Sequence, residues 1–172
     1  MKRFILFIGM ALVIVSPFAV SAIEPNALTE EEVLMIARNC RDAQRSLQRI
    51  QYVDPVTRVS RGNAIASVIK LMSALNARAA ANTYNIPALV TATNNVQKLR
   101  QDFADDYTAY EIGLREVVTM DCSDNPIDFY RKLTDVRNKR AALSVRSKEI
   151  EQQLDQFSQH IPDLANLVKD QQ

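Results

Sequence analysis

The chain has 172 residues with three glycines, no tryptophan and 6% aromatic residues, a composition that favours one long helical domain over a β-rich fold. Its 21 basic and 20 acidic residues give a formal net charge of +1, which argues against nucleic acid or an acidic substrate as a partner. The two cysteines and the single histidine lack the spacing of zinc ligands, so we expect no metal and no cofactor.

The first 22 residues have the pattern of a secretory signal peptide. Lys2 and Arg3 precede an apolar run, Phe4 to Val15, and small residues then place a cleavage site after Ala22. The alternative is an uncleaved anchor, because about 20 apolar residues suffice to span a bilayer. Either way, residues 23–172 are expected outside the cytoplasm, since the basic start holds the N-terminus inside.

The first predicted helix begins at a capping box in which Thr29 and Glu32 cap each other's backbone. Its apolar positions recur three and four residues apart, as Val33, Ile36, Cys40, Ala43, Leu47 and Ile50. Asp54 and Pro55 then end or kink this helix, because aspartate can cap and proline fits a first helical turn. A second helix is predicted from there to about Thr83.

The segment Leu28-Thr29-Glu30-Glu31-Glu32 resembles the LTxxQ start of small periplasmic helical chaperones of the Spy and CpxP type. Leu133-Thr134-Asp135-Val136-Arg137 falls where a second copy of that motif would be sought. Both segments lack the glutamine, and capping or seam positions explain both of them. We therefore do not infer membership of that family.

The third and fourth predicted helices, Pro87 to about Met120 and Pro126 to about Ile161, fold back on each other at Cys122. Each carries an apolar seam of period 3.5, which is typical of a coiled coil. In the third helix one extra step of four residues precedes Tyr107, a stutter that relaxes the supercoil locally. The fold class is therefore all-α, an elongated antiparallel bundle of four helices.

Two arrangements of these helices fit the sequence. The helices can run alternately up and down, or the first two can stack end to end around Pro55 and give a three-armed bundle. At helical rise, Cys40 and Cys122 differ in height by roughly 33 Å in the first arrangement and about 12 Å in the second. A disulfide needs Cα atoms within about 7 Å, so a Cys40–Cys122 bond favours the three-armed bundle. Two free thiols are the alternative.

Arg140 interrupts the apolar seam of the fourth helix and needs a partner, because an unpaired buried charge is costly. If the last two helices fold about residues 123–124, residue numbers at equal height add up to about 247. We therefore predict a polar layer in which Arg140 bonds to Asp106, with Tyr107 or Asn63 as further candidates. The alternative is that the alkyl chain of Arg140 lies along the bundle while its guanidinium reaches solvent.

A basic stripe runs along the first helix and consists of Arg38, Arg41, Arg45 and Arg49. It can meet an anionic surface such as lipid head groups or a polymer. The alternative is pairing with a neighbouring helix, because the disulfide register places Asp121, Glu116 and Glu111 near the last three arginines.

His160 is the only histidine, and no Ser-His-Asp or Cys-His arrangement can be built elsewhere in the chain. We therefore expect no enzyme. The sequence predicts an exported non-catalytic interaction or structural protein of a bacterial cell envelope, with one domain over residues 23–172. Its expected partner is a protein or another envelope component, with membrane contact only through an uncleaved anchor. The alternative is a periplasmic holdase-type chaperone that binds unfolded clients.

Overall fold

The computed structural model describes residues 28–170, so the predicted signal peptide lies outside the described residues. Those residues form four helices and no strand: α1 (Glu30–Ala81), α2 (Pro87–Thr119), α3 (Pro126–Gln159) and α4 (Ile161–Lys169). The three long helices pack against one another, and α2 and α3 share the most extensive interface. The predicted all-α helical bundle is confirmed at this level.

The N-terminus of α1 has the predicted capping box. The hydroxyl of Thr29 accepts a hydrogen bond from the Glu32 backbone at 3.3 Å, and Glu32 Oε2 accepts one from the Thr29 backbone at 2.8 Å. Acidic residues 30–32 fill the first turn, where the helix dipole favours negative charge. This start therefore follows from local sequence alone.

Of the two alternatives at Pro55, a helix end or a kink, the helix end is wrong, because Pro55 lies inside the 52-residue helix α1. A proline in a helix removes one backbone donor. Packing of α1 against both α2 and α3 offsets that loss. Asp54 does not cap a new helix, because its carboxylate binds side chains of α2 and α3.

The buried residues form two core clusters that meet at Phe103. One cluster surrounds the disulfide and the α2–α3 turn, and the other surrounds the α1–α2 turn and α4. Six of the large apolar seam residues predicted for the fourth helix are buried in α3, whereas Leu154 is half-buried and Ile161 is exposed in α4. The buried ones are Phe129, Leu133, Val136, Leu143, Ile150 and Phe157. The period of 3.5 thus identified the inward face of this helix correctly.

The predicted register of the last two helices is correct to within two residues. Lys132 Nζ lies 2.6 Å from Glu116 Oε2, and the Asn95 amide donates to Gln153 Oε1 at 2.9 Å. The residue numbers of both pairs add up to 248, against an expected value of about 247. The tight turn between Thr119 and Pro126 sets this register directly.

Candidate functional site

A disulfide between Cys40 and Cys122 ties α1 to the α2–α3 turn. The two Cα atoms lie 5.7 Å apart across a sequence separation of 82, and the residues are 2% and 1% exposed. The predicted pairing within one chain is therefore present. Close by, the Gln44 amide donates to the carbonyls of Met120 at 2.6 Å and Val118 at 3.2 Å, which satisfies acceptors at the end of α2.

A polar layer crosses the bundle at Arg140, but the partner of Arg140 differs from those predicted. The Tyr110 hydroxyl donates to Asp54 Oδ2 at 2.7 Å, and Arg140 donates to Asp54 Oδ1 at 3.1 Å. Burial, and then the hydrogen bond to Asp54, raise the pKa of Tyr110 well above its usual range. The three long helices thus meet at one carboxylate.

The predicted partners of Arg140 lie elsewhere. Asp106 binds Arg146 at 3.4 Å, and Arg146 also binds Glu149 at 2.8 Å. Of the two further candidates, Asn63 lines a groove between the long helices, and the Tyr107 ring contacts Arg58, with Cζ 4.6 Å from the centre of the ring. The cause is the register of α1, which follows from the tertiary packing of a 52-residue helix and not from a nearby turn.

A second polar contact between α1 and α2 was not predicted from the sequence. The Asn76 amide donates to the Thr93 hydroxyl at 2.8 Å, and that hydroxyl donates to the Leu89 carbonyl at 2.9 Å. Thr93 is 3% exposed, so this contact lies in the core. A threonine next to the α2 seam and an asparagine next to the α1 seam were the available signals.

All four arginines of the basic stripe are exposed on α1. Arg45 pairs with Asp42 of the same helix at 3.2 Å. Glu116, one of the expected partners on α2, binds Lys132 instead, and this hydrogen bond lowers the pKa of the glutamate. The stripe therefore faces solvent over most of its length.

His160 lies between α3 and α4 and contacts Asp163 at 3.2 Å through Nδ1. Both side chains are largely exposed. Within residues 28–170 no group of three or more histidine, cysteine, aspartate or glutamate side chains is arranged to hold a metal ion.

An apolar surface runs along the exposed face of the middle of α1, and Val59 at its edge also lines the groove between the three long helices. Tyr52, Val53, Val56 and Val59 are 81%, 56%, 67% and 52% exposed, and we call these four residues the outer strip. Their helical spacing places them side by side. By length and composition alone, α1 is also apolar enough to cross a membrane, as are many core helices of soluble proteins.

A groove of about 580 Å³ opens between α1, α2 and α3 beside Phe103, where the two core clusters meet. We call it the waist groove. Its walls include Arg58, Gly62, Phe103, Ala104, Ile150 and Leu154. The sequence signal that could have indicated it is Gly62, an otherwise unfavourable residue inside a long helix.

A scan against protein-family models found no match to this chain, and searches of curated proteins and of solved structures found no significant match.

Proposed function

We propose that the protein is an exported, non-catalytic interaction module of a bacterial cell envelope. In this proposal a signal peptide occupies residues 1–22, and residues 23–172 form one elongated, antiparallel, three-armed bundle. The Cys40–Cys122 disulfide supports export, because such bonds persist mainly in oxidising compartments outside the cytoplasm. The length of α1 and its contacts with both α2 and α3 support the three-armed arrangement.

The outer strip is the observation that carries the interaction role. Single exposed apolar side chains are common on protein surfaces, but contiguous apolar patches rimmed by polar residues mark interaction sites. Around the strip, Arg49, Ser60 and Asn63 supply such a rim, and all three are exposed. A straight row of apolar side chains on one helix suits a partner that presents its own apolar helix face.

Retention of envelope proteins on the immobilised, disulfide-bonded protein tests this role. Three baits are compared: the unchanged chain, Val56→Lys in the outer strip, and Val145→Lys on α3 as a matched control that is 57% exposed. We expect one partner to bind the unchanged chain and the control but not Val56→Lys. Equal retention by all three baits would contradict the outer strip as the interface.

Self-association is a separate outcome of the same set of variants. A dimer that forms with increasing concentration and is lost in Val56→Lys would assign the outer strip to a second copy of this chain. Analytical ultracentrifugation of the three proteins measures it directly.

A holdase-type chaperone is the second candidate. Exposed apolar side chains occur on all three long helices, including Met35, Leu71, Ile112 and Val145. Apolar side chains dispersed in this way suit unfolded clients, because unfolded chains present no fixed surface to bind. Suppression of aggregation of an unfolded test protein, unchanged in Val56→Lys, would favour the chaperone over a module with one partner.

Export is tested by the mass of secreted material. Cleavage after Ala22 gives a chain that starts at Ile23, whereas retention of Met1 in the membrane fraction would indicate an uncleaved anchor.

A further inference from the structure

The waist groove has the size and the lining of a small-molecule site. Its volume of about 580 Å³ falls within the range of roughly 300–1,000 Å³ that is usual for ligand pockets. Phe103, Ile150 and Leu154 give it apolar walls from two helices. Such walls bind hydrocarbon because they remove it from water.

The charged side chains of the groove are mostly basic. Arg58, Arg61 and Arg100 line it, and Glu151 is the one acidic side chain among its lining residues. Within residues 28–170 none of these three arginines has a carboxylate within 4.0 Å. Arg58 Nε is buried and has no hydrogen-bond partner among the described residues. Because Arg58 Nε is buried and the Arg58 guanidinium lies over the Tyr107 ring, the donors open to an anion in the groove are those of the exposed Arg61 and Arg100.

Gly62 is a second and independent indication. A Cβ added to Gly62 would meet no heavy atom within 4 Å, so no close helix contact requires glycine here. Glycine inside a helix is unfavourable relative to alanine, so its presence calls for another reason. Gly62 lines the groove, where a side chain longer than that of alanine would occupy the open space.

We propose that the waist groove binds a single-chain amphiphile with an anionic head group, of the fatty-acid type. The hydrocarbon chain lies against Phe103 and Ile150, and the head group accepts charge-assisted hydrogen bonds from Arg61 and Arg100. A purely polar anion would leave the apolar walls uncovered, and a neutral lipid would leave the guanidinium donors unused. This inference does not depend on export, and the waist groove shares only Val59 with the outer strip.

Isothermal titration calorimetry of the disulfide-bonded protein with sodium decanoate, kept below its micelle concentration, tests the proposal. We expect saturable binding of one decanoate per chain. The neutral probe 1-decanol should bind at least about tenfold more weakly than decanoate. Arg100→Gln should weaken decanoate binding by about tenfold through loss of a charged donor. Arg38→Gln, an exposed arginine of the basic stripe, is the matched control and should change nothing.

Two substitutions of Gly62 test the location without disturbing the charges. Gly62→Ala adds only a Cβ and should keep decanoate affinity, whereas Gly62→Phe should fill the groove and abolish saturable binding. Circular dichroism establishes that each variant is folded. The proposal is overturned if decanoate shows no saturable binding, if 1-decanol binds as tightly, or if folded Gly62→Phe or Arg100→Gln binds decanoate unchanged.

Discussion

The hydroxyl of Tyr110 donates a 2.7 Å hydrogen bond to Asp54, across 56 positions of sequence and between α2 and α1. Tyr110 is 1% exposed, and the side chain of Asp54 is 19% exposed. Arg140 binds the other oxygen of the same carboxylate, but its side chain is 52% exposed. The Tyr110–Asp54 hydrogen bond is therefore largely buried, whereas the Arg140–Asp54 ion pair is partly exposed to solvent. Loss of the buried hydrogen bond should cost more stability than loss of the ion pair.

Double-mutant cycles on this polar layer should separate the two contacts. For Tyr110→Phe with Asp54→Ala we expect a coupling energy of about 1–2 kcal/mol, because a buried hydrogen bond to a charged group is lost. For Arg140→Ala with Asp54→Ala we expect less than about 1 kcal/mol, as for other exposed ion pairs. Urea unfolding of the single and double variants gives both values. A larger coupling for the arginine would reverse our assignment.

The raised pKa of Tyr110 predicts a loss of stability at alkaline pH. In the unfolded chain this tyrosine ionises near 10.0, whereas the folded protein retains its proton at higher pH. The folded state then binds more protons, so this stabilisation is complete below pH 10.0 and falls as pH rises above it.

The free energy of unfolding, measured with urea, should therefore fall less between about pH 8 and about pH 11 in Tyr110→Phe than in the unchanged protein. It should not abolish the loss, because burial and the nearby Glu111 also raise the pKa of Tyr107. Tyr52→Phe, at a position 81% exposed, should behave like the unchanged protein. If the free energy of unfolding of Tyr110→Phe fell with pH as steeply as that of the unchanged protein, Tyr110 would not be the group that causes the loss of stability.

The features that could be predicted from the sequence are those fixed by local spacing. The period of 3.5 identified the buried face of α3, and the short turn at Cys122 set the register of α2 against α3 within two residues. The capping box at Thr29 was equally local. In each case the relevant residues lie within one helix or across one short turn.

The register of α1 could not be predicted in the same way. Pro55 favoured a helix boundary, and only the packing of both halves of α1 against the bundle overrides that preference. With the register unknown, Asp54 could not be recognised as the partner of Arg140. The waist groove was missed for the same reason, since it exists only where three helices meet.

The Cys40–Cys122 bond should contribute strongly to stability. In the chain-entropy treatment, closing a loop with a sequence separation of 82 is worth about 4–5 kcal/mol. The double variant Cys40→Ala/Cys122→Ala should lose about that amount in urea unfolding, and reduction of the unchanged protein should have a similar effect. Non-reducing peptide mapping should find one linked pair. Two alkylatable thiols or a disulfide-linked dimer would contradict the assignment.

The capping box of α1 predicts an ordered series of pKa values for Glu32. Hydrogen bonds first from the Thr29 backbone and then from its hydroxyl lower the pKa of Glu32 below its ordinary value of 4.5. This stabilisation is therefore present above pH 4.5 and is lost as pH falls.

Substitutions at Thr29 separate the two bonds to Glu32. Thr29→Ala removes only the hydroxyl, whereas Thr29→Pro also removes the backbone donor at a φ of −71° that proline accepts. Carboxyl titration by NMR should give a pKa that rises from the unchanged protein to alanine to proline. The same pKa in all three proteins would mean that the box does not form in solution.

The glycines of α1 and α2 should respond in different ways to alanine. Gly62→Ala should stabilise the protein by about 0.5–1 kcal/mol, because glycine is unfavourable in a helix and the added Cβ meets no heavy atom within 4 Å. At Gly113 the same atom would lie 3.1 Å from Val136 Cγ2, so overpacking opposes the gain. Urea unfolding should therefore rank Gly62→Ala above Gly113→Ala. An equal gain at both positions would show that α2 and α3 separate without cost at this contact, and that the glycine is not needed for their close approach.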